Sequence, residues 1–216
     1  KDELHERNYA PSTINTFLAA LNGFFYFCGW SDCRARFLKI QHRLFRDSRQ
    51  ELTRAEYERL VAAAETAGDR GLALLMETIC STGIRVSEVQ YITVEAAKNG
   101  KAEIALKGKI RTILLPSKLC RKLLKFAARQ KTVSGTIFRA KSGNAMSRYQ
   151  IWSKMKKLCE RAGVDAEKVF PHNLRHLFAT AFYRAYKDIV KLADVLGHSS
   201  IETTRIYLLT SGAEHI

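Results

Sequence analysis

The sequence of 216 residues lacks any long apolar run, since no stretch approaches the roughly 20 apolar residues that a helix needs to cross a bilayer. It also lacks a visible signal peptide, an internal repeat and a low-complexity segment. None of its five cysteines belongs to a CxxC pair, and several lie in apolar helical runs. These absences argue against a membrane-spanning protein. They predict a cytoplasmic protein whose thiols are reduced and mostly buried.

Acidic residues are scarce relative to basic ones, because 21 Asp and Glu stand against 36 Lys and Arg and leave a formal net charge of +15. A polyanion is the natural partner of such a chain. Membrane binding would favour one basic amphipathic helix with an exposed apolar face, whereas here the basic residues are spread over many segments. We therefore predict nucleic acid as the partner and no membrane. The alternative is a soluble enzyme that is merely basic.

The composition that remains is ordinary for a globular protein, with 46% hydrophobic and 26% charged residues, and the length allows one sizeable core with a small accessory domain. Residues 8–30 predict an amphipathic helix whose large apolar stripe must pack on another helix or chain. The stripe comprises Ile14, Phe17, Leu18, Leu21, Phe24 and Phe25. The basic residues 31–51 predict a linker, which is either a solvated surface or a strap along DNA.

From Leu52 onwards the pattern predicts a mostly helical α+β domain with one small antiparallel sheet. Thr53 and Glu56 form a capping box at its first helix. The predicted helices span residues 53–68, 69–81, 85–91, 117–130 and 147–162, and three helical pieces follow within residues 170–207. Turn signals at Gly100 and Gly108 predict a hairpin or a three-stranded sheet between residues 92 and 116.

Polar residues of the last predicted helices form one candidate site. His172 and Arg175 stand three apart and share an edge beside an apolar face. The Arg guanidinium suits phosphate oxygens, and an imidazole exchanges a proton near neutrality. Metal binding by His172 and His176 is a weaker alternative, since no third ligand and no catalytic Glu are well placed. A surface Arg beside a core-edge His is the purely structural alternative.

Two further residues of this segment have both a structural and a catalytic interpretation. Tyr207 is either a packed ring or a nucleophile, and a phenol of pKa about 10 needs cations or a base nearby to act as one. His198 follows the helix-ending Gly197 and is either a cap or a hydrogen-bond donor to a phosphate.

Residues earlier in the chain also have both a structural and a catalytic interpretation. Arg85 and Glu88, at i and i+3, are either a surface ion pair or a guanidinium oriented by a carboxylate at a phosphate site. Lys107 lies at the tip of the predicted hairpin and is either solvated or a general acid.

Five separated motifs occur in one order: STGIRVSEV, ALKGKIRTILLP, PHNLRHLFAT, LGHSS and TTRIY. This set, over residues 52–210, resembles the catalytic domain of the tyrosine recombinase (phage-type integrase) family. The helix at 8–30 and the LTxxEY start at Leu52 resemble the end of that family's core-binding domain and its junction. The resemblance implies that residues 1–48 are the C-terminal part of a helical core-binding domain with its linker, and that residues 49–216 are the catalytic domain. Leu177 replaces the usual Thr or Ser, outside the catalytic positions.

The resemblance also implies a mechanism, in which DNA is cut and rejoined through a 3′-phosphotyrosyl intermediate without metal, ATP or any other cofactor. Its catalytic residues are Arg85, Lys107, His172, Arg175, His198 and Tyr207. Tyr207 is the nucleophile, Lys107 protonates the leaving oxygen, and Glu88 is a supporting residue.

Double-stranded DNA is the expected partner. The resemblance implies a homotetramer on paired DNA sites, and a monomer or weak oligomer without DNA. Further DNA contacts are predicted for Arg43, Arg46, Lys109, Arg111, Arg148 and Lys154. A type IB topoisomerase, a non-catalytic DNA-binding protein and a metal-dependent nuclease stay open as alternatives.

Overall fold

The computed structural model describes residues 2–40, 51–106, 109–198, 200–205 and 207. The chain divides into two compact units, residues 1–44 and residues 45–216. The predicted boundary between residues 48 and 49 lies outside the described residues. Of the helices in the described ranges, none combines the length and the apolar surface that a membrane crossing requires.

The N-terminal unit is built on one helix, α2 (Pro11–Phe27), which follows the short helix α1 (Asp2–Glu6). Proline suits the first position of α2 because a missing N–H breaks no intrahelical bond there. A 3₁₀ turn (Ser31–Cys33) and the extended residues 34–40 come next.

Two asparagines, seven residues apart on α2, hold this extended segment. The Asn15 side chain accepts from the N–H of Leu38 at 2.8 Å and donates to its carbonyl at 2.9 Å. Asn22 makes the same pair of bonds with Ala35, also at 2.8 and 2.9 Å. Because each amide uses both its donor and its acceptor, the start of the predicted linker lies along the helix in a fixed register.

The apolar stripe of α2 is only partly buried. Ile14 and Leu18 are buried, whereas Phe17, Leu21 and Phe24 are between 41% and 53% exposed. The helix therefore keeps the apolar surface that the sequence predicts for packing on another helix or chain.

Among its described residues, the second unit is mostly helical and contains one hairpin. In chain order its helices are α3 (Arg54–Thr66), α4 (Arg70–Thr82), α5 (Val94–Asn99), α6 (Ser117–Arg129), α7 (Arg148–Lys156), α8 (Cys159–Ala162), α9 (Pro171–Tyr186), α10 (Ile189–Leu196) and α11 (Glu202–Arg205). The strands are β1 (Lys101–Leu106) and β2 (Lys109–Leu114), and 3₁₀ turns span Val86–Tyr91 and Ala166–Lys168. The predicted helix at 85–91 is thus a 3₁₀ turn, and the one at 147–162 is divided into α7 and α8.

Helix α4 lies inside the core of this unit, since it contacts α3, α6, α7 and α9. Its side chains Leu75, Met76 and Ile79 are fully buried. Asp69 caps the helix by accepting a backbone N–H of the first turn at 3.0 Å. Gly83 ends it in the left-handed conformation, with φ of 65°.

The strands form a two-stranded antiparallel sheet in which Ile104 is opposite Arg111 and Ala102 is opposite Ile113. Successive side chains of a strand point to opposite faces. Ala102, Ile104 and Ile113 face the core and are almost fully buried, whereas Ile110 is 77% exposed on the other face. Arg111 shares the inner face with Ile113, because the two residues are two apart on the strand.

Helices α9, α10 and α11 provide the predicted three helical pieces. The buried residues Ala179, Leu192, Leu196 and Tyr207 form an apolar cluster distinct from the main core. Tyr207 follows α11 directly, so the packing of this cluster decides where its phenol lies.

Candidate active site

Arg175 is a buried cation, with 2% of its surface exposed. Helix α9 directs its guanidinium to the end of α4, where Nη1 donates to the carbonyl of Gly83. Nη2 donates to the carbonyl of Leu196 at 2.8 Å and lies 2.9 Å from Nε2 of His198. Burial, together with the charge of Arg85, lowers the pKa of Arg175 to about 10. The group therefore stays positive at neutral pH.

Gly83 supplies this acceptor at a position that only glycine fits. Its φ of 65° is in the left-handed region, and an added Cβ would lie 2.4 Å from the ring of Phe178 and 3.1 Å from Leu196. The close approach of α4 to α9 and α10 thus places the Gly83 carbonyl within reach of Arg175.

Glu88 joins two further guanidiniums. Its Oε1 pairs with Nη1 of Arg85 at 3.0 Å, and its Oε2 pairs with Nη2 of Arg111 at 2.5 Å. The Glu88 carboxylate also accepts the backbone N–H of Arg85 at 2.6 Å, and the residue is only 1% exposed. The Arg85 side chain keeps 40% exposure, and its Nη2 lies 3.4 Å from the carbonyl oxygen of Gly197. Glu88 therefore orients an Arg that still reaches solvent.

Arg111, which the sequence predicts as a DNA contact, makes its contacts within the protein in this structure. Its side chain is 17% exposed, and Nη1 donates to the carbonyl of Val195 at 3.1 Å while Nη2 binds Glu88. Burial lowers the pKa of Arg111, and the Glu88 charge opposes that change. Strand alternation turns this side chain inward, so it links the hairpin to Glu88 and α10.

His198 lies between two hydrogen-bond partners. Its Nε2 faces Arg175 Nη2, and its Nδ1 lies 2.9 Å from Oγ1 of Thr204, which is fully buried. Burial, together with the charges of the neighbouring Arg175 and Arg85, lowers the pKa of His198 to about 4. The imidazole is therefore neutral at physiological pH, beside permanent cations.

Tyr207 is 5% exposed and packs between imidazoles. Its ring is stacked on His198, with centroids 6.1 Å apart and planes 12° apart, and its centroid lies 4.3 Å from that of His176. Its backbone N–H donates to the carbonyl of Thr204 at 3.0 Å. The structure thus brings Tyr207 to the group formed by Arg175 and His198.

His172 is exposed at the edge of the same group, and its ring meets that of His176 edge-on at 5.4 Å. It is close enough for its charge to lower the pKa of His198. Within the described ranges, no three His, Cys, Asp or Glu side chains lie together as a possible metal site.

Several predicted residues lie outside the described residues: Lys107, Arg43 and Arg46, together with the side chain of Lys109. The two remaining predicted DNA contacts are on α7. Arg148 is exposed, whereas Lys154 is paired with Asp69 at 2.6 Å.

Three residues of the site were not predicted in the positions that they occupy in the structure. The inward position of Arg111 was available from the alternation with Ile113 along the strand. Thr204, in the TTRIY motif, is i−3 to Tyr207 and so was predictable as its helical neighbour. The sequence suggests His176 only as a possible metal ligand, and nothing in the linear sequence signals its ring contact with Tyr207.

Comparison with known proteins decides what this arrangement is. Residues 50–213 match the sequence profile described as the phage integrase family. The chain belongs to the phage integrase family. Tyrosine recombinase XerA of Pyrococcus furiosus is 31% identical over 225 residues, covering 99% of this chain and 75% of the relative. Tyrosine recombinase XerD of Vibrio cholerae is 28% identical over 218 residues, covering 94% and 72%.

The fold agrees with this membership. The XerH site-specific recombinase, solved in a pre-cleavage complex with its difH substrate, superposes with a TM-score of 0.72 at 23% identity, covering 98% of this chain and 65% of that chain. This integrase-family protein is a tyrosine site-specific recombinase that cleaves and rejoins DNA. The predicted family, mostly helical fold and enzyme class are confirmed.

Proposed function

We propose that Tyr207 attacks a backbone phosphate of double-stranded DNA, giving a 3′-phosphotyrosyl link and a free 5′-hydroxyl. The observation that carries this proposal is the contact of the Tyr207 ring with His198, whose Nε2 lies 2.9 Å from the buried Arg175. A phenol near neutrality needs a cationic environment to become a nucleophile, and this position supplies one.

The guanidiniums stabilise the transition state. Arg85 and Arg175 bind the non-bridging phosphate oxygens and stabilise the charge that develops on a pentavalent phosphorus. Glu88 holds Arg85 for this task, because its buried carboxylate accepts from both the side chain and the backbone of Arg85.

Three residues donate a hydrogen bond or transfer a proton. His198 donates a hydrogen bond to a non-bridging oxygen. His172, at the exposed edge of the site, is the acid or base near the tyrosine proton, and Lys107 protonates the leaving 5′-oxygen. The covalent link conserves the energy of the phosphodiester, so that attack by another strand's 5′-hydroxyl rejoins DNA without ATP. Neither a metal nor another cofactor has a role in these steps.

We also propose a domain organisation, further DNA contacts and an assembly for the protein. Residues 1–48 are the end of a core-binding domain with its linker, and residues 49–216 are the catalytic domain. Arg43, Arg46, Lys109, Arg148 and Lys154 contact the DNA backbone. The active form is a homotetramer on two duplexes, while the protein without DNA is a monomer or weak oligomer in the cytoplasm. The related XerH was solved on its difH substrate, which supports a duplex as the ligand.

Tyr207→Phe tests the nucleophile. On a nicked duplex that traps the intermediate, we expect wild type to form a protein–DNA adduct and the variant to form none, since phenylalanine has no oxygen. DNA affinity should change little, because the ring is kept. The matched control is Tyr149→Phe, which alters an exposed tyrosine of α7. An adduct from Tyr207→Phe at the wild-type rate would exclude the assignment.

The rival chemistries separate in the same experiment. Recombination between two sites distinguishes a recombinase from a type IB topoisomerase, which relaxes supercoils without exchanging partners. Cleavage that persists in excess EDTA excludes a metal-dependent nuclease. Duplex binding without any adduct would leave only a non-catalytic DNA-binding role.

A further inference from the structure

The environment of His198 fixes which of its ring nitrogens carries hydrogen. Nε2 lies 2.9 Å from Nη2 of Arg175, and a guanidinium is a donor only. Nε2 must therefore present its lone pair, and the neutral ring must carry its hydrogen on Nδ1. That hydrogen points to Oγ1 of Thr204 at 2.9 Å, and Thr204 accepts it.

The proposed reaction needs the opposite arrangement. To donate a hydrogen bond to a phosphate oxygen, Nε2 must carry the hydrogen, and a neutral ring then has a lone pair on Nδ1. A hydroxyl group both accepts and donates, so Thr204 satisfies Nδ1 in either form by rotating its hydrogen. A carboxylate or a backbone carbonyl in its place would accept only and would hold the ring in the form that cannot donate.

We propose that Thr204 is a positioning residue that allows His198 to change tautomer when DNA binds. Without DNA, Nδ1–H donates to Oγ1 of Thr204. With a phosphate in the site, the Thr204 hydroxyl donates to Nδ1, and Nε2–H donates to the phosphate. The ring stays neutral throughout, because Nδ1 loses a proton to water and Nε2 gains one from water. This inference rests on the proposed function, since it takes His198 as a donor to phosphate.

Thr204 also connects this change to the nucleophile. Its carbonyl accepts the backbone N–H of Tyr207 at 3.0 Å, and its side chain is fully buried beside His198. One residue therefore holds both the backbone of the nucleophile and the imidazole stacked on its ring. The hydroxyl acts on His198 and the carbonyl acts on Tyr207, so a side-chain substitution removes the first contact and keeps the second.

Three variants separate the hydroxyl from packing. Thr204→Val removes the hydroxyl and keeps the shape, Thr204→Ser keeps the hydroxyl, and Thr203→Val makes the same change at the exposed neighbour. In adduct formation at saturating nicked DNA we expect Thr204→Val to be about tenfold slower than wild type, as a lost hydrogen bond predicts, and the other two to stay within about twofold. Equal rates for Thr204→Val and wild type, or an equally slow Thr204→Ser, would overturn the proposal.

Nitrogen-15 NMR of the imidazole gives a readout that packing alone would not move. In the DNA-free protein we expect the Nδ1–H form of His198 in all three proteins, because Arg175 still faces Nε2. The Nδ1 resonance should be the same in wild type and Thr204→Ser and should shift in Thr204→Val, where the hydrogen on Nδ1 has lost its acceptor. In a complex of Tyr207→Phe with an intact duplex, which cannot react, we expect Nε2–H. An unchanged Nδ1–H form in that complex would also overturn the proposal.

The two proposals fail in different ways. If wild type forms no adduct, the proposed reaction fails, while the DNA-free spectra of Thr204→Val and wild type still test the contact with His198. If wild type forms the adduct and Thr204→Val forms it equally fast, only the role of Thr204 fails.

Discussion

At the scale of single residues, the site is a group of cations held by few opposite charges. Arg175 is satisfied by carbonyl oxygens rather than by a carboxylate, and Glu88 is shared between Arg85 and Arg111. The excess positive charge is unfavourable in the free protein and, in the proposed reaction, becomes favourable when a phosphate binds. A neutral His198 fits this setting, because a third cation beside Arg175 would add to the repulsion.

His198 predicts a pH dependence of stability. Its ordinary pKa of 6.5 is lowered to about 4 in the folded state, so the unfolded chain binds the proton more readily. The stability that this group contributes is complete above pH 6.5 and is lost as the pH falls through 4. We expect wild type to lose more unfolding free energy than His198→Gln over this window, measured by urea denaturation. A difference between the two proteins that does not vary with pH would contradict the burial of a neutral ring.

At the scale of elements, two features place the site: the end of α4 and the inner face of β2. Helix α4 ends beside α9 because Gly83 adopts the left-handed conformation. The carbonyl of Gly83 is then free to accept a hydrogen bond from Arg175. The alternation of β2 sends Arg111 inward beside Ile113. Neither feature is itself a proposed catalytic group, yet each fixes the orientation of one.

The glycine at the end of α4 has a matched control at the end of α5. Gly83 and Gly100 have φ of 65° and 69°, but an added Cβ meets Phe178 only at Gly83 and has open space at Gly100. We expect Gly100→Ala to cost about 1 kcal/mol of unfolding free energy, and Gly83→Ala to cost about 1–3 kcal/mol more from overpacking. Cleavage should fall in Gly83→Ala alone. If urea denaturation gave equal losses of unfolding free energy for the two variants, α9 would be able to move away from the added Cβ without strain.

The inner position of Arg111 predicts a division between chemistry and binding. Arg111→Gln removes the ion pair with Glu88, so Arg85 is held less firmly, and we expect adduct formation at saturating DNA to be at least about tenfold slower. Arg148→Gln alters an exposed residue of α7 and should weaken DNA binding, lowering its salt slope by about one, while the saturated rate is kept. The opposite pattern would indicate that Arg111 is a DNA contact.

At the scale of the whole molecule, the net charge of +15 predicts that the affinity for DNA depends on salt. Binding through phosphate contacts releases counterions and depends steeply on salt. For about six such contacts we expect the duplex affinity to fall about 10³-fold between about 50 and 200 mM salt, measured by fluorescence anisotropy. A nearly flat salt dependence would indicate that the charge is spread over surfaces that do not touch DNA.

Much of the fold was predictable from local patterns. The capping box of Thr53 and Glu56, the apolar run of α4 and the turn at Gly100 each depend on neighbours within a few residues, and the structure contains all three. The prediction of one helix over 147–162 was wrong in the middle of that range, because residues 157 and 158 form a turn. Tertiary packing tolerates this turn, and no proline or glycine in the sequence indicates it.

The sequence by itself determined the family and the set of proposed catalytic residues, because the motifs around Arg85, Arg175, His198 and Tyr207 are short and local. Only the tertiary structure decided how they meet. The contact of Arg175 with Gly83, 92 residues away, and that of Arg111 with Glu88, 23 residues away, depend on how helices and strand pack. The tautomer of His198 follows from the same packing, since it depends on which side chains face its two nitrogens. Long-range packing therefore brings the separate motifs together as the proposed phosphate site, with a defined pattern of donors.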